Sequence, residues 1–346
     1  MIKKIWCQLV LLSACFSVTA NDVKLNTLDW QLNTINKKVS LRGSAISDNT
    51  IWVSGSDNTV FISNDNGKTW LDRSVKSDIK TGFRDIAVFN DKTAIVMGIG
   101  SGIQSTLFKT LDAGKTWEKL YQNQEEKGFF DSIAFWDENN GLLMGDPVDG
   151  FYVIKRTKDG GKTWSRIPQN NIPQILENES AFAASGNTLI VGDNGNAWFT
   201  TGGLSASVYS SDDFGNTWQR GSVPLHQKTT TSGGYALALN SQKKLFVMGG
   251  DYLKRDNKYT NLASLKGNKW SKVNTGDNGL RTAMTCIKNT CITTGKLSSD
   301  ISFDNGLNWQ PLNSKTKQGF YTLASNNSLI LAAGADGSIG VIEFTD

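Results

Sequence analysis

The sequence predicts an all-β fold, a seven-bladed β-propeller of four-stranded antiparallel blades, and three observations predict it. An octapeptide of the form S/T-x-D-x-G-x-T/N-W recurs at SNDNGKTW (63–70), TLDAGKTW (110–117), TKDGGKTW (157–164), SDDFGNTW (211–218) and SFDNGLNW (302–309). An apolar run that ends in glycine recurs independently, at WVSG55, IVMG98, LLMG145, LIVG192, FVMG249, CITTG295 and LAAG334. The 346 residues hold 34 Gly, 11 Trp and only 5 Pro, a turn-rich composition punctuated by aromatics.

The octapeptide, an Asp-box, is explained by turn chemistry. Its Asp can accept hydrogen bonds from backbone N–H groups a few positions on, and its Gly supplies a positive φ without a Cβ clash. Its Trp offers a large apolar face for packing on the next blade. Asp65, Asp112, Asp159, Asp213 and Asp304 are therefore read as structural. A degenerate copy, SLKGNKW, ends at Trp270, so successive Trp spacings from Trp70 are 47, 47, 54, 52 and 39 residues, the size of a four-stranded blade.

Upstream of each glycine-ended run lies a second short apolar run: SAIS, IAVF, IAFW, AFAAS, ALAL, AMTC and YTLAS. Each unit thus reads as inner strand, turn, second strand ending in Gly, loop, third strand, Asp-box turn and Trp-bearing fourth strand. Six boxes and seven glycine-ended runs leave the last unit without a fourth strand. The orphan strand LDWQLNTI (28–35) carries the missing Trp and is expected to complete that blade, closing the ring and removing its exposed edges. Residues 21–346 then form one closed propeller.

Residues 1–20 read as a signal peptide: Lys3 and Lys4, a short apolar run, then small residues at Val18-Thr19-Ala20. The protein is expected in the periplasm or outside the cell. The alternative is lipoprotein processing at Leu12-Ser13-Ala14-Cys15, which would leave a lipid anchor on Cys15. Loss of the segment leaves a net charge of about +2, so no nucleic-acid partner is implied, and membrane contact is expected only through a partner or that anchor. Beyond the signal region only Cys286 and Cys291 remain; they either face each other across a hairpin as a disulfide or stay as two buried thiols.

Antiparallel alternation places the head of each inner strand and the loop between strands 2 and 3 on one face, with the Asp-boxes on the other. Aligning the units puts Arg42, Arg84, Asp131, Ser180 beside Glu179, Gly234, Arg281 and Gly319 in one column around the channel mouth. Three arginines so placed need compensation. Either a carboxylate, a phosphate or an acidic peptide supplies it, suited to their forked donors, or Asp131 and Glu179 pair with them along a wet channel. The long loops 192–206 and 249–260, with GDPVDG (145–150), add Trp198, Tyr235, Asp251 and Tyr252 as candidate contacts. His226 is the one histidine, and no CxxC, dinucleotide fingerprint or P-loop occurs, so neither a metal nor a cofactor is expected.

The markers LRGSAI, FRDIAVF, FFDSIAFWD, MGDPVDG, ESAFAASG, WFTTGG, GGDY and LRTA occur in this order over nearly the whole mature chain. On them the chain resembles the photosystem II stability/assembly factor-like family of Asp-box (BNR) propellers. The resemblance implies a non-enzymatic assembly scaffold that binds a protein partner through an arginine-rich face, with Arg42, Arg84 and Arg281 at the family's positions, and a monomer is expected. The alternative is a sialidase-like glycoside hydrolase, whose arginines would grip a sugar carboxylate and in which Tyr235 or Tyr321 would be the nucleophile.

Overall fold

The structure, a computed structural model, describes residues 28–275, 279–312 and 319–344; the expected signal segment and Cys15 lie outside them. Seven antiparallel sheets form the ring, six of four strands and one of six, in which Glu179–Ser180 and Gly202–Gly203 extend the four strands of blade 5. Blade 1 comprises Leu41–Ile46, Ile51–Gly55, Val60–Ser63 and Leu71–Asp72. Blade 2 comprises Gly82–Val88, Ala94–Ile99, Thr106–Thr110 and Glu118–Gln122. Blade 3 comprises Phe130–Phe135, Gly141–Val148, Phe151–Thr157 and Ser165–Arg166. Blade 4 comprises Leu189–Val191, Ala197–Thr200, Ser207–Ser211 and Gln219–Ser222.

Blade 5 comprises Ser232–Leu239, Leu245–Asp251, Leu262–Lys266 and Lys269–Val273. Blade 6 comprises Ala283–Ile287, Thr290–Gly295, Ser298–Ser302 and Gln310–Pro311. Blade 7 comprises Thr322–Ser325, Leu329–Ala333 and Ser338–Glu343, and its outer strand is the N-terminal Gln31–Thr34, paired antiparallel with Gln31 opposite Val341. Trp30 is buried against Phe320 with ring centroids 5.2 Å apart.

The core lies between blades. Trp52, Val60 and Ile62 of blade 1 pack on Phe83, Val96 and Phe108 of blade 2, and Leu41 and Val53 pack on Leu331 and Val341 of blade 7. Blades stacked face to face bury both sides of their inner strands, so Ile51–Gly55 is buried at every residue while Leu71–Asp72 is exposed. Each Asp-box closes on itself. In the first, the Ser63 hydroxyl donates to Asp65 Oδ1 at 2.8 Å and accepts the Gly67 N–H at 2.9 Å, while the Thr69 N–H and hydroxyl donate to the two carboxylate oxygens at 2.8 and 2.6 Å. The box tryptophans pack on the preceding blade, not on the next: Trp117 joins the blade 1–2 core and Trp309 the blade 5–6 core.

The strand-ending glycines have a steric cause. A Cβ on Gly55 would stand 2.3 Å from the Ser40 carbonyl oxygen, and one on Gly145 2.3 Å from that of Phe129. At these points the chain entering the inner strand crosses directly over the second strand. Cys286 and Cys291 are opposite residues of a hairpin and are joined as a disulfide.

Blade 4 departs from the sequence reading. AFAAS is not its inner strand, and LIVG192 ends the first strand, not the second. Glu179–Ser180 pairs with Gly202–Gly203 in the manner of other inner-strand heads, but the chain then leaves the sheet and resumes pairing only at Leu189. The expected mouth loop 192–206 is in part strand, Ala197–Thr200 and Gly202–Gly203.

Candidate functional site

In four blades the head of the inner strand carries a β-bulge, and the bulged residue is the one that reaches the channel. Pairing skips between Leu41 and Gly43, Phe83 and Asp85, Phe130 and Ser132, and Gly234 and Ala236. The residues skipped are Arg42, Arg84, Asp131 and Tyr235. A bulge turns one side chain away from the regular alternation, and all four line one cavity of about 400 Å³ at the mouth. Tyr321 of blade 7 joins them, with the Arg42 guanidinium 3.7 Å above its ring centre. The column deduced from sequence therefore holds for three blades and is displaced by a residue in blade 5, from Gly234 to Tyr235.

In blade 4 the excursion 181–187 takes the place of the bulge and forms the cavity floor. Phe182 stacks on Tyr235 at 4.4 Å and 7°. The Arg42 Nη1 donates to the Ala184 carbonyl at 3.4 Å, the Ser185 hydroxyl to the Thr282 carbonyl at 2.6 Å, and the Ser132 hydroxyl to the Gly186 carbonyl at 3.0 Å. Blades 1, 3, 5 and 6 thus all hold this segment. Below it sits Asp85, buried and accepting from the Ser132 hydroxyl at 2.7 Å and from the N–H groups of Ile133 and Ile86 at 2.8 Å each. Gly186 has φ +78°, and a Cβ there would stand 2.5 Å from Asp85 Oδ1, so the crossing needs glycine. A wet through-channel is replaced by a closed one.

The cavity is lined by basic and acidic side chains. Arg42, Arg84, Arg255 and Lys296 line it, and among the described residues none of them forms an ion pair. Burial, and then the nearby Arg84, pull Arg42 down to about 10 against the opposing influence of Tyr321. Burial pulls Arg84 down too. Asp131 and Asp146 also line the cavity. Asp146 is itself a bulged residue, since pairing of the second and third strands of blade 3 skips between Gly145 and Pro147. Burial pushes both carboxyls upward, and Asp146 adds to the effect on Asp131.

Four residues proposed from sequence do not line the cavity. Arg281 is fully buried: its Nε donates to Asp300 Oδ2 at 2.9 Å, Nη2 also bonds that carboxylate, and Nη1 donates to the Leu280 carbonyl. Blade 6 has no bulge to aim Arg281 at the channel. Glu179 is buried and accepts from the hydroxyls of Thr201 and Tyr209 and from the Leu176 N–H, so it pairs with no arginine. Trp198 lies on a strand and packs into the core between blades 4 and 5. Asp251 accepts from Thr229, Thr231 and the Leu253 N–H, which shapes the loop that presents Tyr252 and Arg255 to the cavity. Arg255, Lys296, Asp146 and Phe182 were not singled out from sequence. Asp146 and Arg255 do fall in the two segments, GDPVDG and GGDYLKRDNKYT, already noted as distinctive.

Fold and site together define an Asp-box propeller whose channel is closed below a charged mouth cavity. The profile of the family described as photosynthesis system II assembly factor YCF48 matches residues 7–103 and 98–183, and the protein belongs to that family. No curated protein matches the sequence significantly. Among solved structures, YCF48 bound to D1 peptide superposes with a TM-score of 0.68 at 16% identity, over 93% of this chain and 97% of that one. YCF48 from Cyanidioschyzon merolae gives 0.65 at 15%, over 91% and 99%. The GH74 xyloglucanase from Xanthomonas campestris gives 0.67 at 12%, over 92% of this chain and 54% of that one. At such identities the likeness is one of fold.

Proposed function

We propose that this protein is an exported, monomeric, non-enzymatic scaffold that docks an extended segment of a protein partner at the mouth cavity and assists that partner's assembly. Export rests on residues 1–20, read as a signal peptide. The observation that carries the docking reading is the wall of Arg42, Arg84, Arg255 and Lys296, cations that face a common cavity without a carboxylate partner. Holding like charges together in a partly dry site is unfavourable until an anion arrives, and forked guanidiniums suit carboxylates. The related propeller bound to a D1 peptide supports a polypeptide as the ligand class. Phe182, Tyr235, Tyr252 and Tyr321 supply flat apolar surface for the chain that carries the acidic group.

The test is calorimetric titration with short peptides bearing one acidic residue, alongside a panel of fluorogenic glycosides. Acidic peptides are expected to bind, with Arg42→Ala and Arg255→Ala each weakening them about tenfold while the melting temperature holds. Glycoside turnover that disappears in Arg42→Ala would overturn the scaffold reading in favour of the hydrolase.

A further inference from the structure

Between blade 2, which carries Arg84, and blade 4, the two bulges of blade 3 turn two carboxyls into the same cavity as the cations. Asp131 and Asp146 come from neighbouring strands whose pairing is interrupted at both residues. Asp131 is 1% exposed, lines the cavity, and its Oδ2 has no hydrogen-bond partner. A buried carboxyl oxygen left in this way normally costs free energy, because it has given up water and gained nothing. No cation of the cavity forms an ion pair with either residue among those described. Tyr152 lies behind the pair, its buried hydroxyl likewise without a partner, so the back wall does not compensate them.

We infer that Asp131 and Asp146 form a seat for a primary ammonium group, so that the cavity binds a segment carrying a positive charge close to its negative one. The seat rests on the docking reading for the identity of its ligand and adds the second charge. An ammonium has three N–H donors and no acceptor, which matches two carboxyls that accept from little else. Arg42, Arg84, Arg255 and Lys296 take the acidic group, while Asp131 and Asp146, giving up their protons as the ammonium enters, take the positive one. Such a two-signed cavity selects by charge pattern and not by net charge. The ammonium has two sources, a lysine side chain or a free N-terminus.

Single-charge probes separate the two walls. Isotopically labelled protein is titrated with Nα-acetyl-lysine amide, glycine amide and Nα-acetyl-glutamate amide while the side-chain NMR signals of Asp131, Asp146, Arg42 and Arg84 are followed. An ammonium probe is expected to move the two aspartate signals to saturation and leave the arginines still, and whichever amine does so at lower concentration identifies the source. The glutamate probe is expected to do the reverse. Asp146→Asn, checked for an unchanged melting temperature and repeated as Asp131→Asn, is expected to abolish the amine response and keep the glutamate response. A peptide with both charges should bind about tenfold tighter than its norleucine counterpart in the wild type, and equally in Asp146→Asn. Aspartate signals that stay still under both amines overturn the seat. Arginine signals that stay still under glutamate overturn the docking reading and leave the seat standing.

Discussion

Burial lowers the pKa of Arg42 and the charge of nearby Arg84 lowers it further, while burial lowers Arg84 itself. Within the cavity this repulsion opposes folding. Replacing Arg84 with Gln is therefore expected to leave the melting temperature equal or slightly higher, by no more than about 1 kcal/mol of stability, while weakening acidic peptides. A clear loss of stability on thermal unfolding would show that Arg84 is a structural anchor instead. Arg42, Arg84 and Asp131 could be found by aligning repeats because a bulge recurs at the same place in their blades. Arg281 occupies the same aligned position but faces Asp300, a residue 19 positions on in another strand. Alignment shows position and not the direction of a side chain, and that direction depends on whether pairing skips a residue.

Strands were legible wherever one residue type was forced by a crossing of two chains. Gly249 shows the force of the constraint, since a Cβ there would stand 1.7 Å from the Gly233 carbonyl oxygen. Gly192 imitates the pattern for a different reason: its missing Cβ makes room for the Trp198 ring, 2.8 Å away. The corresponding glycine of blade 4 is Gly203, whose Cβ would meet the Asn178 carbonyl oxygen at 2.1 Å. That substitution of one glycine for another displaced the strands of blade 4 in the sequence reading and hid the floor segment. The closing strand Gln31–Thr34 is exposed throughout. Its anchor is Trp30 against Phe320. Trp30→Ala is expected to cost roughly 3 kcal/mol in denaturant unfolding, with amide exchange rising first along Ser338–Glu343. Protection of that strand equal to the wild type's would show that closure does not depend on the tryptophan.

The ring places two populations of carboxyl groups under opposite influences, and its stability should follow pH accordingly. On the Asp-box face, hydrogen bonds from the Thr69 hydroxyl and N–H hold Asp65 down to about 2, and the equivalent bonds of Thr116 and Thr163 do the same for Asp112 and Asp159. An acid with a lowered folded pKa stabilises fully above its unfolded value of about 4, and that contribution is lost as pH falls toward 2. Inside the channel, burial pushes Asp85 up to about 7 despite its three donors, Ile133 N–H, Ser132 hydroxyl and Ile86 N–H. Burial also raises Asp131 and Asp146. Between about pH 4 and 7 the folded chain then binds protons that the unfolded chain has released, so stability declines as pH rises through that window. His226, lowered by burial, acts in the other direction, but from a single site. Melting temperature is therefore expected to peak in mildly acidic buffer, near about pH 5, and to fall on both sides. Asp85→Asn should flatten the alkaline side and leave the acid side unchanged. A melting temperature that climbs steadily to pH values above about 7 would mean that the buried channel carboxyls are ionised in the folded protein, held by the floor segment and its hydrogen bonds more strongly than burial opposes them.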